Sequence, residues 1–282
     1  MIYELTYISD GLKVKGYLGI PSTYSLSIKE LREHLKTVYK RSDLTVKVIS
    51  NSIRVNTETI DNASLPVLIY CRGGIGKYGR VKMEWVEEYT SYGYIVFAPT
   101  YRGNEGSEGR DEFGGADRED VFAGYRLLQS FSFIDSSDIS VMGFSRGSIN
   151  ATLLSIKEPT IRNLILWSGV SDLTDTYEER VDLRRMLKRV IGGTPNKLPD
   201  SYQSRSPIKL VEKIQCPVLI IHGTEDEQVL YSHGIKMYNQ LNSLDKEVDI
   251  QKYSDYGHHY PLPVHNKAVK GMFQWISERE RE

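Results

Sequence analysis

The stretch "DISVMGFSRGSINATLL", residues 138–154, decides the fold. Its first half is a short apolar run typical of a buried strand, and its second half has the pattern of a helix. Between them lies Gly143-Phe144-Ser145-Arg146-Gly147, a G-x-S-x-G motif. A serine on a sharp strand-to-helix turn needs glycines two residues before and after it, because side chains there would clash. We therefore predict a strained turn that exposes the hydroxyl of Ser145 as a nucleophile.

From residue 66 onward, short apolar runs alternate with longer amphipathic ones, which predicts an α/β protein with a mostly parallel central sheet flanked by helices. The predicted strands are 67–71, 94–98, 138–144, 164–168, 218–223 and 248–253. The predicted helices are near 82–91, 117–130, 147–156, 177–190, 231–242 and 264–280. Ligands on such sheets bind where the strands end, so functional residues should follow the strands directly.

The N-terminal part of the chain has a different pattern. Two alternating runs around Ser9-Asp10-Gly11 predict an antiparallel hairpin. Residues 22–62 then predict an inserted element with one helix beginning at Ser27, with Glu30 as its capping-box partner, and two strands, "LTVKVIS" and "IRVNTET". We interpret residues 1–282 as a single domain, in which 171–206 is a possible lid. The insertion could gate a pocket, form a dimer contact or decorate the surface.

The composition is that of an ordinary soluble protein, and we expect a cytoplasmic location. There are 36 Lys and Arg residues against 37 Asp and Glu residues. This balance of charge gives no reason to expect nucleic acid or an anionic membrane as a partner. The N-terminus lacks the apolar run of a signal peptide. Cys71 and Cys216 each adjoin an apolar run and are predicted to be free thiols of a reducing compartment. No metal-ligand spacing occurs, and we predict neither a metal nor a cofactor.

A serine hydroxyl becomes a good nucleophile only when a base takes its proton and an acid orients that base. Two predicted strand ends supply the candidates. Glu225 and Asp226 follow strand 218–223, and His258 and His259 follow strand 248–253. The order serine, acid, histidine along the chain is that of α/β hydrolases.

Together these segments resemble the α/β-hydrolase catalytic domain of the prolyl oligopeptidase family of serine peptidases, which includes acylaminoacyl-peptidase-like enzymes. The matching stretches include "SDGLKVKGYLGIP", "YRGNEGSEGRDEFGGADREDV", "VMGFSRGS" and "DYGHHY". The family pattern H-G-x-x-D-x-x-V falls on His222, Gly223, Asp226 and Val229. The resemblance therefore implies a catalytic triad of Ser145, Asp226 and His258.

The resemblance also implies a serine hydrolase that forms an acyl-enzyme intermediate. We expect a small peptidase acting on peptides or amides, with a carboxylesterase or thioesterase as one alternative and a non-catalytic binding protein as another. Full-length relatives carry a β-propeller that filters substrates, and because only residues 1–62 precede the predicted hydrolase core we expect no such filter here. The expected partner is a small peptide or ester substrate, and the protein could form a homo-oligomer.

The loop "CRGGIGKYG", residues 71–79, contains the letters of a dinucleotide fingerprint but lacks the acidic residue expected at the end of the next strand. We interpret it as the oxyanion loop, in which glycines let the backbone approach the substrate. The predicted oxyanion donors are the N–H of Arg146 and an N–H at Gly73 or Gly74. Family members have Tyr or His where this chain has Arg72, whose guanidinium could help the donors or bind a substrate anion.

Arg102 lies in the long polar loop that follows strand 94–98. The favoured interpretation is an ion pair with Asp117 or Asp120 that fixes this loop. Direct contact with the substrate is the alternative.

Overall fold

The computed structural model describes residues 1–50 and 64–279. The chain divides into two compact units, of which the first comprises Met1–Asp111 with Ala116–Ser140 and the second comprises Glu112–Gly115 with Val141–Glu282. That residues 1–282 form a single domain stays a prediction.

The sheet of the first unit begins with the predicted hairpin. Its strands are β1 (Ile2–Ser9), β2 (Leu12–Gly19), β3 (Val46–Ser50), β4 (Leu65–Cys71), β5 (Ile95–Pro99) and the first residues of β6 (Ile134–Phe144). β1 and β2 pair antiparallel from Ile2 opposite Gly19 to Ser9 opposite Leu12. Asp10 and Gly11 both have positive φ, as a two-residue hairpin turn requires. β2 also pairs antiparallel with β5, and β5 pairs in parallel with β4.

The α-helices among the described residues of this unit are α1 (Ile28–Tyr39), α2 (Met83–Ser91) and α3 (Arg118–Gln129). Ser27 caps α1 and forms the predicted capping box with Glu30. The buried side chains of Leu31 and Leu35 anchor this helix. The insertion thus contains α1 and one of its two predicted strands, β3, while the other run, residues 53–59, lies outside the described residues.

The polar loop that follows β5 is fixed by the predicted ion pair. The Nε and Nη2 atoms of Arg102 donate to the carboxylate of Asp120, whose Oδ2 also accepts the backbone N–H of Arg102 at 2.6 Å. The Asp120 side chain is fully buried, whereas Asp10, a second partner of the same guanidinium, is 52% exposed. Asp120, rather than the alternative Asp117, therefore pairs with Arg102.

The second unit contains a parallel sheet in the order β6, β7 (Leu164–Trp167), β8 (Val218–Gly223) and β9 (Val248–Tyr253). β7 and β8 are buried along their whole length, as expected for strands covered on both faces. The helices are α4 (Gly147–Lys157), α5 (Leu173–Glu179), α6 (Arg184–Ile191), α7 (Pro199–Gln203), α8 (Tyr231–Ser243) and α9 (Leu262–Arg279). The mostly parallel sheet with flanking helices confirms the predicted fold class.

The single helix predicted for residues 177–190 is wrong. α5 ends at Glu179, and a short 3₁₀ turn, Val181–Leu183, separates it from α6. Arg180 leaves the helical conformation, with φ −106° and ψ 77°. Its guanidinium donates to both oxygens of Asp182 and to the carbonyl oxygen of Gln228, and these contacts explain the break within the possible lid segment 171–206.

No helix within residues 1–50 and 64–279 is both long enough and apolar enough to cross a membrane.

The Arg102–Asp120 pair generates a stability prediction. Asp120→Ala should lower the free energy of unfolding by about 3–5 kcal/mol, because it leaves a buried guanidinium without its main counter-charge. Asp10→Ala, the matched control on the exposed side of the same guanidinium, should cost about 1 kcal/mol or less. Urea unfolding monitored by circular dichroism measures both, and equal losses would contradict the prediction.

Candidate active site

The elbow serine is held in a strained conformation by its neighbours in the second unit. Ser145 has φ +55°, a left-handed value that is unfavourable for a residue with a side chain. Its N–H donates to the carbonyl oxygen of Trp167 at 2.9 Å. Its own carbonyl oxygen accepts from the N–H and the hydroxyl of Ser148 and from the N–H of Val170. The predicted strained turn between strand and helix is therefore present.

The first glycine of the motif leaves room for this turn. A Cβ at position 143 would lie 2.5 Å from both the N and the Cα atoms of Ser148. Both are backbone atoms of α4, which cannot move aside as a flexible side chain could. Gly143 is therefore required by the close approach of helix and strand.

The predicted acid follows β8 in a tight loop. The Oδ1 atom of Asp226 accepts the backbone N–H groups of Gln228 and Val229, both at 2.9 Å. The carboxylate is fully buried, so these two hydrogen bonds fix its orientation inside the protein. Glu225, the other candidate at this strand end, is exposed.

The predicted base meets this acid. The Nδ1 atom of His258 lies 2.7 Å from Oδ2 of Asp226. Because a carboxylate can only accept, Nδ1 carries the hydrogen, and the Nε2 atom of the neutral ring keeps its lone pair. The ring of Phe144, the residue before the elbow serine, packs 4.9 Å from the imidazole of His258. The structure thus places His258 beside the elbow.

The charge of Asp226 is stabilised by its hydrogen bonds. Burial alone would raise the pKa of this carboxyl, but hydrogen bonds from His222 and His258 and from the N–H of Val229 outweigh burial and hold the pKa below its ordinary value. The carboxylate therefore remains ionised at neutral pH.

Arg146 is the N-cap residue of α4 and directly follows the serine, as an oxyanion donor at an elbow should. Its side chain is buried, and its guanidinium stacks over the ring of Phe113 at 4.9 Å. The side chain therefore supports the turn, and the role of its backbone N–H as an oxyanion donor stays a prediction.

The glycine loop of the first unit is organised around Arg72. This buried guanidinium donates to the carbonyl oxygens of Thr100, Gly73 and Gly74 and stacks on Tyr101. Because peptide bonds are trans, a Gly73 carbonyl that faces the guanidinium turns the Gly74 N–H away from it. These contacts favour a role for Arg72 in shaping the loop. Its contact with substrate, and the oxyanion roles of Gly73 and Gly74, stay predictions.

One contact of Asp226 was missed by sequence reasoning. The Nε2 atom of His222 lies 2.9 Å from the carbonyl oxygen of Val229. The same atom also lies 3.5 Å from Oδ2 of Asp226. The only signal in the sequence is the four-residue spacing of the two side chains around one strand end.

Comparison with known proteins identifies the family. Residues 81–279 match the prolyl oligopeptidase family. The uncharacterised peptidase YtmA of Bacillus subtilis is 42% identical over 239 residues, which cover 83% of this chain and 93% of YtmA. The chain belongs to the prolyl oligopeptidase family. Membership in this family makes it a serine hydrolase of the peptidase type, as the resemblance implied.

More distant relatives in the family are longer. Dipeptidyl-peptidase 5 of Porphyromonas endodontalis is 24% identical over 236 residues, 75% of this chain and 33% of that protein. The acylamino-acid-releasing enzyme of Mus musculus is 24% identical over 217 residues, 68% of this chain and 28% of that protein. The chain thus spans about a third of the length of these two relatives.

Solved structures show the same fold. The acylaminoacyl peptidase of Pyrococcus horikoshii superposes with a TM-score of 0.72 at 18% identity, covering 98% of this chain and 41% of that chain. A puromycin-hydrolysing peptidase of Mycobacterium tuberculosis superposes with a TM-score of 0.76 at 18% identity, covering 98% of this chain and 39% of that chain. At this level of identity the likeness concerns the fold alone, and it confirms the predicted α/β-hydrolase fold.

The elbow generates a second prediction. Gly143→Ala should lower the free energy of unfolding by about 1–3 kcal/mol through overpacking. It should also lower turnover about 10²-fold, because small displacements of a reacting group are costly. Gly193→Ala is the matched control, since the atoms nearest to its Cβ would belong to the side chains of Leu198 and Lys197, at 3.1 Å or more, and not to backbone. Urea unfolding measures the stability of both variants, and steady-state kinetics measure their kcat. A Gly143→Ala protein as active as the Gly193→Ala control would contradict the prediction.

Proposed function

We propose that this protein is a serine peptidase that cleaves short peptides or amides through an acyl-enzyme on Ser145. The observation that carries the proposal is the 2.7 Å hydrogen bond between Asp226 and His258, next to a serine in a strained strand-to-helix turn. Membership in the prolyl oligopeptidase family supports the same assignment.

In the proposed reaction, His258 is the general base. Its Nδ1 hydrogen is bound to Asp226, so the lone pair on Nε2 is available to take the proton of the Ser145 hydroxyl as Oγ attacks the substrate carbonyl. The imidazolium that forms is stabilised by the ionised carboxylate and then gives its proton to the leaving amine. A water molecule repeats the sequence to release the acyl group and restore Ser145.

The tetrahedral intermediate carries negative charge on the former carbonyl oxygen, and preorganised N–H donors stabilise it. The N–H of Arg146 is the proposed donor from the elbow. An N–H of Gly73 or Gly74 is the predicted second donor.

The substrate class follows from the relatives. Their names describe the release of acylated amino acids and of dipeptides, and these relatives share the catalytic region matched by this chain. We propose short peptide amides as substrates on this basis.

A cytoplasmic location and self-association are further parts of the proposal. Cys71 and Cys216 do not form a disulfide, and burial raises the pKa of the Cys216 thiol to about 11. Cysteines that remain reduced fit a reducing compartment. Light scattering of the purified protein would show whether it self-associates.

Labelling with a fluorophosphonate tests the nucleophile, because this probe reacts with activated serines. Ser145→Ala should abolish labelling and lower kcat by about 10⁴–10⁶-fold. Ser168→Ala is the matched control, since Ser168 also has positive φ directly after a strand, and it should keep labelling. Labelling that survives Ser145→Ala would reassign the nucleophile.

The acid is tested by Asp226→Asn. An amide at this position favours the wrong tautomer of the base, and kcat should fall by about 10⁴-fold. Glu225→Gln, which removes the neighbouring exposed carboxylate, should change kcat less than about twofold. A larger loss for Glu225→Gln than for Asp226→Asn would exchange the two assignments.

The substrate class is tested with matched compounds. Aminoacyl and N-acyl-aminoacyl coumarin amides should be hydrolysed, alongside p-nitrophenyl esters and acyl thioesters as comparison compounds. If the protein hydrolysed only esters or thioesters and was still labelled by the fluorophosphonate, the proposed triad would stand and the proposed peptidase activity would be wrong.

A further inference from the structure

His222 is a fully buried histidine at the end of β8. Its Nε2 atom donates to the carbonyl oxygen of Val229 at 2.9 Å, since a carbonyl oxygen can only accept. In the neutral ring the Nδ1 atom therefore carries a lone pair and no hydrogen. The ring is a hydrogen-bonded part of the loop that carries the proposed triad acid.

The contacts of His222 reach both oxygens of Asp226. Val229, whose carbonyl oxygen His222 holds, donates its own N–H to Oδ1 of Asp226 at 2.9 Å. The Nε2 atom of His222 also lies 3.5 Å from Oδ2, the oxygen that binds His258. A displacement of the His222 ring would therefore move the carboxylate that orients the base.

The opposite side of the ring faces a small cavity. Nδ1 of His222 is buried and has no hydrogen-bond partner among the protein atoms that the structure describes. A Cβ on Gly234 would lie 2.7 Å from Nδ1, and Gly234 lines a cavity of about 10 Å³ together with Ser148, Ser171 and His233. This volume is close to the least that holds one water molecule.

The cavity also offers acceptors for such a water. The hydroxyl of Ser148 donates to the carbonyl oxygens of Ser145 and Val170, which leaves its oxygen able to accept. Nδ1 of His233 accepts the backbone N–H of Ser171, so it has no hydrogen and the Ser171 hydroxyl donates to it. One water could thus donate to Nδ1 of His222 and to one serine oxygen.

We propose that His222 is a positioning residue for Asp226 and that one buried water, held between its Nδ1 atom and the Ser148–Ser171 pair, fixes the ring. This inference rests on the proposed function, since it concerns the acid of that triad. It gives His222 a role in catalysis without contact with the substrate.

Two substitutions test the roles of the two ring nitrogens separately. His222→Gln places an amide nitrogen near the position of Nε2 and should keep kcat within about fivefold. His222→Asn is too short to reach Val229 and should lower kcat by about 10–100-fold, as loss of orienting contacts around a reactive group does. KM should change less than about twofold in both, and the rate of fluorophosphonate labelling should fall in parallel with kcat.

His265→Asn, which truncates another buried histidine of the second unit, is the control for general destabilisation. It should lower Tm but keep kcat within about twofold below the transition. Equal kcat losses in His222→Gln and His222→Asn, or wild-type kcat in His222→Asn, would overturn the positioning role. Failure of the proposed function is a separate result, because the wild-type protein itself would then remain unlabelled.

The water is tested with Gly234→Ala and by crystallography. The added methyl group would lie 2.7 Å from Nδ1, so it should displace both the ring and the water beside it and lower kcat about 3–10-fold, although alanine ordinarily favours a helix more than glycine does. A crystal structure of the wild-type protein at about 1.5 Å should show one water within about 3.2 Å of His222 Nδ1 and of a serine oxygen. A dry cavity, or full activity in Gly234→Ala, would overturn the water site.

Discussion

The turn at Ser145 is the constraint on which the second unit depends. A left-handed conformation at a residue with a side chain costs about 1–3 kcal/mol and persists only where the surroundings impose it. Here the backbone of Trp167 fixes the N–H of Ser145, and Ser148 and Val170 fix its carbonyl oxygen. These contacts come from β7, from the segment after it and from α4, so the packing of strand and helix determines the conformation of the serine.

Burial of Asp226 imposes a second requirement. A fully buried carboxylate is unfavourable unless hydrogen bonds replace the water it has lost. Asp226 receives such bonds from backbone N–H groups on one oxygen and from His258 on the other, with His222 nearby. The backbone bonds hold the carboxylate still, and the imidazole bond is the one the proposed chemistry uses. The charge and the orientation of this carboxylate therefore depend on the same contacts, which come from the tight loop that follows β8 and from His258 after β9.

The glycine loop of the first unit shows why a motif has to be interpreted in its surroundings. Its letters match a phosphate-binding fingerprint, yet the carbonyl oxygens of Gly73 and Gly74 accept hydrogen bonds from Arg72. A Cβ at Gly79 would lie 2.5 Å from Nη1 of that arginine and 2.4 Å from the carbonyl carbon of Gly74. Gly79 is thus required because the loop folds back closely around a buried guanidinium. Arg102 organises the next loop in a comparable way, with a carboxylate in place of carbonyl oxygens.

The sequence by itself determined the features that depend on neighbouring residues. Hydrophobic periodicity located the strands, the turn at Asp10-Gly11 defined the hairpin, and Ser27 with Glu30 marked the start of α1, because each is a local preference of the chain. The ends of predicted strands supplied Ser145, the acids Glu225 and Asp226 and the histidines His258 and His259, since parallel strands end at one edge of a sheet. The resemblance to the prolyl oligopeptidase family then selected Asp226 and His258 for the predicted triad. Only the tertiary structure decided the break of the helix at Arg180, the choice of Asp120 as the partner of Arg102 and the contact of His222 with Asp226. These features depend on how the folded chain places the side chains in space, even where the residues are as close in the chain as His222 and Asp226, and no local pattern of residues encodes such distances.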